Sequence, residues 1–197
     1  SILFSFIYIQ SDIILLKYMV GDTEAGVYNV SFIVLAAVLI FPTVVYQKFL
    51  MPKLHRWANH DRIKFYEVYK KGNMVMLISG TLIMLLVFMF SSDLIILLFG
   101  EEYENSVKLL NILAFSLPVY FVSYSAGATL ITGNHMKVKV IIMGLVAILN
   151  IALNIVLIPK YAATGAAIAT VICNIILLVL YFYFAKNKVF KIIKEIN

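Results

Sequence analysis

The sequence predicts an all-α, polytopic membrane protein with six transmembrane helices. The first observation is the composition: 63% of the 197 residues are hydrophobic, only 13% are charged and the mean hydropathy is +0.99. Soluble domains are about 45–50% apolar and about 25% charged. The second observation is that the apolar residues form six segments near the roughly 20 residues that a helix needs to cross a bilayer. These segments lack the alternation that a transmembrane barrel requires.

The predicted helices and the residues after them divide the chain into two parts. Residues 1–185 form a six-helix transmembrane lobe, and residues 186–197 form a basic tail. The chain begins at Ser1 without an initiator Met, a basic n-region or a cleavage site, so we expect a piece of a longer protein rather than a signal peptide. The predicted spans cover 2–20, 27–50, 74–91, 107–131, 140–158 and 165–185.

Basic residues predict the orientation of the spans. Twelve of the 16 Lys and Arg residues fall in the loops 53–71 and 133–139 and in the tail, whereas the opposite loops carry only Lys108 and Lys160. The positive-inside rule therefore places the basic loops and the C-terminus in the cytoplasm. We exclude nucleic acid as a partner, because topology explains the net charge of +6 and no binding motif accompanies it. Anionic lipid headgroups are the expected contact.

Two further segments are predicted to lie at the membrane surface. Residues 52–72 are too polar to span, and aromatic residues such as Trp57 suit the level of the headgroups. An ordinary connecting loop is the alternative interpretation. The third span is expected to end at Ser91–Asp93, and the short apolar stretch within 92–100 is expected to form an outer interfacial helix.

Prolines and asparagines interrupt the predicted helices. Pro42 lies in the second span and Pro118 in the fourth, where a proline removes a backbone hydrogen bond and kinks the helix. Both are hinge candidates, although proline is in general commoner in transmembrane helices. Asn150 and Asn154 lie one turn apart on one face, and we interpret them as hydrogen-bonding residues between helices rather than cavity lining.

The first predicted span contains two charged residues, Asp12 and Lys17. A charge at a helix centre in the bilayer costs roughly 2.5–3.5 kcal/mol on translocon scales. Lys17 lies near the outer end and can extend its stem to the interface. Asp12 is shorter and deeper, so it predicts either a water-filled cavity or a pair with a basic residue on a helix outside this chain.

No arrangement of residues typical of an enzyme is present in the sequence, so we predict that the protein is not an enzyme. The three histidines are isolated, and His55 and His60 are five residues apart rather than the four that a helical metal site needs. The patterns G-x-x-x-x-G-K-[ST] and G-x-G-x-x-G are both missing. We therefore expect no catalytic residue, no metal, no cofactor and no ATP-driven pump.

Four stretches together resemble the C-terminal half of the multidrug/oligosaccharidyl-lipid/polysaccharide exporter superfamily. "SDIILLKYMVGDTEAGVYNVS" is similar to the family pattern of an Asp within a helix, a Gly-containing outer turn and Gly-x-Tyr, through Asp12, Gly21, Gly26 and Tyr28. In "LNIALNIVLIPKYAATGAAIAT", Ala162 stands where the family's glycine is expected. The likeness is greatest to the polysaccharide-transport branch, the O-antigen and capsule-type repeat-unit flippases. The other stretches are "FPTVVYQKFLMPKL" and "LIILLFGEEYENSVKLLNIL".

The resemblance implies one lobe of a two-lobed exporter fold in the cytoplasmic (inner) membrane. It implies a flippase that moves undecaprenyl-diphosphate-linked oligosaccharide from the inner to the outer leaflet by alternating access. The implied partners are the lipid-linked oligosaccharide, membrane lipids, H⁺ or Na⁺ as a coupling ion, and polysaccharide assembly proteins. The candidates for lining a cavity or coupling an ion are Asp12, Gln10, Tyr28, Tyr46, Lys48, Tyr120 and Tyr124.

Two other functions are weighed against the flippase. A cation-coupled multidrug exporter of the same fold predicts drug sensitivity on deletion without a glycan defect. A membrane enzyme of glycan assembly predicts a large outer loop or a catalytic His/Asp motif. This chain contains neither, but the expected longer protein could carry either upstream, so this alternative stays open.

Overall fold

The computed structural model describes residues 2–191, with side chains from Ser11 onward except that of Gln47. Within this range every regular element is helical and there is no strand, which confirms the all-α prediction. A π-helical turn, Val45–Leu50, joins α2 to α3, and another, Ala185–Val189, follows α7. The helices are α1 (Ile2–Met19), α2 (Asp22–Val44), α3 (Met51–His60), α4 (Arg62–Phe99), α5 (Asn105–Ala114), α6 (Leu117–Thr132) and α7 (Met136–Phe184).

Three helical stretches of the described chain are long and apolar enough to cross a membrane: Asp22–His60, Arg62–Phe99 and Met136–Val189. A fourth is added if α5 and α6, whose axes differ by 43°, are counted as one bent span. The fifth and sixth predicted spans both lie on α7. Length and composition of the described helices therefore support three to four spans, and the count of six stays a prediction.

Helix α7 is not straight, because its backbone reverses direction at Ala162. This residue has φ 49° and ψ −136°, which are not helical values. A Cβ at Gly165 would lie only 2.5 Å from the carbonyl oxygen of Leu157. In a straight helix eight residues span about 12 Å, so residues 136–161 and 163–184 form two arms that fold back on each other. Glu24 of α2 supports the bend by accepting a hydrogen bond from the Ala163 N–H at 3.3 Å.

Helix α6 lies at the centre of the fold, and α4 lies at its periphery. Leu117, Phe121, Ala126 and Leu130 of α6 are completely buried. Gly80 lets α4 approach closely, since a Cβ there would lie 2.8 Å from the Cα of Pro118. The opposite side of α4 exposes large apolar residues, which suits contact with lipid. Among them are Leu77, Leu82, Leu86, Met89 and Leu97.

The structure changes one predicted helix end. Helix α4 continues without a break through Ser91–Asp93 to Phe99, so no helix ends at these polar residues and residues 92–99 do not form a separate helix. The end of the third span within the membrane stays a prediction. Ser91 is buried, whereas Asp93 is exposed, so the Asp93 carboxylate does not need a partner inside the fold. At the other end, Asp61 separates α3 from α4 and accepts a hydrogen bond from the Lys64 N–H as a helix N-cap. The predicted surface segment 52–72 thus comprises α3 and the start of α4, and its membrane position stays a prediction.

Candidate functional site

A buried polar network is centred on Asp12 in the last two turns of α1. The Asp12 side chain is only 2% exposed, and Tyr28, Asn150, Asn154 and Thr170 around it are exposed by 2% or less. Tyr28 comes from the second turn of α2, and the two asparagines come from the first arm of α7. Thr170 comes from the second arm of α7. Four helical segments therefore meet at one carboxyl group.

Three side chains donate hydrogen bonds to the Asp12 carboxylate. The Tyr28 hydroxyl and the Thr170 hydroxyl donate to Oδ2 at 2.7 and 2.5 Å. The Asn154 amide Nδ2 donates to Oδ1 at 2.5 Å. Because a buried carboxylate is tolerated only when its oxygens are hydrogen-bonded or paired, these donors explain how the residue is accommodated.

The network extends from Asp12 through the asparagines. The second proton of Asn154 Nδ2 goes to Asn150 Oδ1 at 3.2 Å, and the Ser11 hydroxyl donates to the same Oδ1 at 3.2 Å. These contacts match the interpretation of the asparagines as hydrogen-bonding residues between helices. Asn154 Oδ1 is buried and has no hydrogen-bond donor within the described part of the chain. The site therefore keeps an unused acceptor beside the carboxylate.

The bend at Ala162 makes this site possible. Asn154 and Thr170 are sixteen residues apart, which corresponds to about 24 Å along a straight helix. They nevertheless bind the two oxygens of one carboxylate, because the arms of α7 lie side by side. Tyr28 is held against the same atoms, since its hydroxyl lies 3.3 Å from the Thr170 hydroxyl.

The charge state of Asp12 controls the direction of these hydrogen bonds. All three donors are neutral, and between residues 11 and 191 the ion pair that is found joins Lys17 to Asp22, at 3.0 Å on the surface. An ionised Asp12 accepts all three bonds. A protonated Asp12 must donate one, so a hydroxyl must rotate or the Asn154 amide must turn its free Oδ1 toward the acid. Proton binding at this site would therefore rearrange contacts among α1, α2 and α7.

The same oxygens are the kind of ligands that a hard cation prefers. Carboxylate, amide and hydroxyl oxygens come from Asp12, Asn150 and Thr170. Among the described residues no group of three or more His, Cys, Asp or Glu side chains is placed to hold a metal ion. A site with one carboxylate fits a monovalent ion better than a divalent one, because it carries a single negative charge.

The structure brings only some of the predicted site residues together. Asp12 and Tyr28 lie in the network, whereas the Tyr46 hydroxyl points between α4 and α6, 2.8 Å from where a Gly72 Cβ would be. Lys48 is exposed in the π-helical turn, and Tyr120 and Tyr124 are partly buried on α6. The side chain of Gln10 lies outside the described residues. The cavity roles of these residues stay predictions.

The two hinge candidates occupy different positions. Pro42 is buried near the end of α2, directly before the π-helical turn Val45–Leu50. Pro118 lies in the first turn of α6, at the 43° bend between α5 and α6. A proline is well accommodated in a first helical turn, where its missing N–H has no intrahelical partner. The hinge roles of both prolines stay predictions.

Sequence reasoning missed Thr170 as a member of the site. Thr170 follows Ala166 by four residues, and this spacing of small residues indicates close helix packing rather than a binding site. Its hydroxyl nevertheless faces Asp12. The available signal was that Thr, unlike Ala, adds a hydroxyl that must find a partner when buried.

The fold and the site together define a multi-pass helical membrane protein with a buried carboxylate between its helices. The MatE family model matches residues 55–156, which is more than half of the chain. The chain belongs to the MatE family, whose members are transporters. This membership confirms the resemblance to the exporter superfamily.

One curated relative gives a longer match. The chain is 28% identical over 175 residues to "Capsular polysaccharide biosynthesis protein CapF" of Staphylococcus aureus, and the match covers 88% of this chain and 44% of the relative. The chain thus spans less than half the length of the curated relative that it matches. No solved structure was found to match the chain.

Proposed function

We propose that this chain is the C-terminal lobe of a flippase that moves undecaprenyl-diphosphate-linked oligosaccharide from the inner to the outer leaflet. Membership of a transporter family and the similarity to CapF, whose name refers to capsular polysaccharide biosynthesis, support this proposal. The cargo's headgroup is large, polar and anionic, so it needs a hydrated path, whereas its prenyl tail can remain in lipid.

One observation carries the mechanism: Asp12 is buried, hydrogen-bonded to three helical segments and paired with no cation among the described residues. Loss or gain of H⁺, or of Na⁺, at this carboxyl group changes which side chains donate. Because the donors lie on α2 and on both arms of α7, ion binding shifts the balance between two packings of the lobe. Alternating access then follows from rocking of this lobe against the other one.

The proposal places the protein in the cytoplasmic membrane with its basic loops and C-terminus inside. Polysaccharide assembly proteins that supply and consume the lipid-linked unit are its expected partners. The orientation is tested with single-cysteine variants and a membrane-impermeant maleimide. Glu102→Cys should react in intact cells, whereas Lys188→Cys should react only after the membrane is opened. The reverse pattern would overturn the orientation.

The function is tested in cells that are depleted of the full-length protein, with a probe that reaches only lipid-linked oligosaccharide on the outer face. Depletion should lower the outer signal while the precursor accumulates inside. Asp12→Asn should fail to restore the signal at normal protein levels, whereas the exposed carboxylate control Asp22→Asn should restore it. Unchanged outer exposure on depletion would overturn the flippase, and sensitivity to drugs in the same cells would favour a drug exporter.

A restored signal with Asp12→Asn has a separate meaning. In that case the flippase stands, and Asp12 serves packing rather than coupling. Because Asp12→Asn is isosteric and keeps an acceptor oxygen, it tests the charge with little effect on shape. Its level in the membrane is compared with wild type before transport is interpreted.

A further inference from the structure

Lys139 reaches the face of α6 from the start of α7. Its Cε and Nζ both lie 3.2 Å from the point where a Cβ on Gly127 would sit. The absence of a side chain at Gly127 therefore gives the lysine stem room against the helix. The residue is partly buried, and among the described residues no carboxylate lies within 4.0 Å of Nζ. The Lys139 ammonium group can therefore donate hydrogen bonds, and no carboxylate among the described residues pairs with it.

Two side chains that carry a hydroxyl group, Tyr181 and Ser123, lie on the side of α6 that Lys139 covers. Cε2 of Tyr181, on the second arm of α7, lies 3.1 Å from the same Gly127 point, and Tyr181 is 3% exposed. Ser123 is one turn from Gly127, so it shares that face of α6. Ser123 is 7% exposed, and its buried Oγ has no hydrogen-bond partner in the described structure. Unpaired buried hydroxyl groups are uncommon and indicate a ligand, an ion or a water.

The cluster is separate from the Asp12 network. Lys139 precedes Asn150 by eleven residues, and Tyr181 follows Thr170 by eleven residues, which is about 16 Å along each arm. Both arms therefore carry one polar layer near Asp12 and a second layer toward the loop 133–139. The second layer lies at the end where the basic residues of the chain are concentrated.

We propose that Lys139, Tyr181 and Ser123 form a binding site for a phosphate group. One ammonium and two hydroxyl groups supply donors, and the non-bridging oxygens of a phosphate are strong acceptors. A hydrogen bond between a charged donor and a charged acceptor is about twice as strong as a neutral one. Because the chain is a membrane protein, we assign the phosphate to a lipid, either the diphosphate of a lipid-linked saccharide or the headgroup of an anionic phospholipid. The first assignment rests on the proposed function, and the binding itself does not.

The test uses the purified full-length protein in detergent and farnesyl diphosphate as a soluble probe, with farnesol as the uncharged comparison. Lys139→Met should weaken binding of the diphosphate about tenfold, because a charge-assisted contact is lost. Lys137→Met is the matched control, since Lys137 is exposed on the first turn of the same helix and should bind within twofold of wild type. Lys139→Arg should recover most of the affinity.

A second arm distinguishes the two lipids. Thermal stability is compared in nanodiscs of phosphatidylglycerol and of phosphatidylcholine for wild type, Lys139→Met and Tyr181→Phe. A stabilisation by phosphatidylglycerol that depends on Lys139, without binding of farnesyl diphosphate, supports the phosphate site and assigns it to the headgroup. Equal responses of wild type and Lys139→Met to both ligands overturn the site. Since binding is measured on purified protein, that failure is distinct from a failure of translocation in cells.

Discussion

Gly165 packs directly against the backbone of Leu157, so closely that a Cβ at position 165 would lie 2.5 Å from the Leu157 carbonyl oxygen. Backbone atoms cannot move aside as a flexible side chain can. The contact holds the two arms of α7 together just inside their bend at Ala162. It thereby keeps Asn154 and Thr170 within reach of one carboxylate.

Gly165→Ala should therefore destabilise the protein by about 1–3 kcal/mol, since the added methyl group must push the arms apart. The free energy of unfolding, measured by detergent titration, checks this expectation. Gly26→Ala is the control, because nothing lies within 4 Å of a Cβ there and the change should stabilise by about 0.4–1 kcal/mol. Equal stability of Gly165→Ala and wild type would contradict the close approach.

Ala162 adopts a positive φ of 49°, a conformation that L residues with a Cβ rarely take. Such a residue stores of order 1–3 kcal/mol of backbone strain. Ala162→Gly should release part of it and raise the free energy of unfolding by about 1 kcal/mol. Ala169→Gly, at a helical position in the second arm, should lower it by about 0.5–1 kcal/mol. A loss of stability in Ala162→Gly would argue against this bend geometry.

The hydrogen bond from Tyr28 to Asp12 joins α2 to α1 inside the lobe. Tyr28→Phe removes this donor and should cost about 1–2 kcal/mol of unfolding free energy. In a double-mutant cycle with Asp12→Asn, the two changes should couple by at least about 0.5 kcal/mol. Tyr161→Phe, whose side chain is exposed, should change stability by less than about 0.5 kcal/mol. Additive effects at Tyr28 and Asp12 would mean that the bond contributes nothing.

Phe190 anchors the chain after α7 against the start of α4. Its ring lies 5.3 Å from that of Phe65 and 5.0 Å from those of Tyr66 and Tyr69, measured between centroids. Phe190→Ala should loosen the segment 185–191, because the buried ring packs against three aromatic rings at the start of α4. Hydrogen exchange in that segment should rise at least about tenfold, which corresponds to a local loss of about 1.4 kcal/mol. Tyr183→Ala, at an exposed ring, should leave exchange unchanged, and protection retained in Phe190→Ala would contradict the anchor.

The helical class and the special status of Asp12 could both be predicted from local features. Apolar runs of span length require helices, since lipid leaves no other partner for backbone groups. A carboxylate in such a run is costly wherever the helix packs, so Asp12 is conspicuous without any structure. Local features were less reliable for helix ends: the polar residues Ser91–Asp93 suggested a boundary that α4 passes through, because only Ser91 of the three is buried.

The sequence by itself determined that this chain is an all-α membrane protein of the MatE family and that its first apolar segment contains a charged residue, Asp12. Only the tertiary structure decided the partners of that charge, since Asp12 is 142 residues from Asn154 and 158 from Thr170. It also decided that Lys139, which reads as one of many basic loop residues, lies against α6 beside Tyr181. The physical reason is that hydropathy and periodicity are properties of neighbouring residues. Hydrogen bonds between distant helices depend instead on how α7 bends and packs.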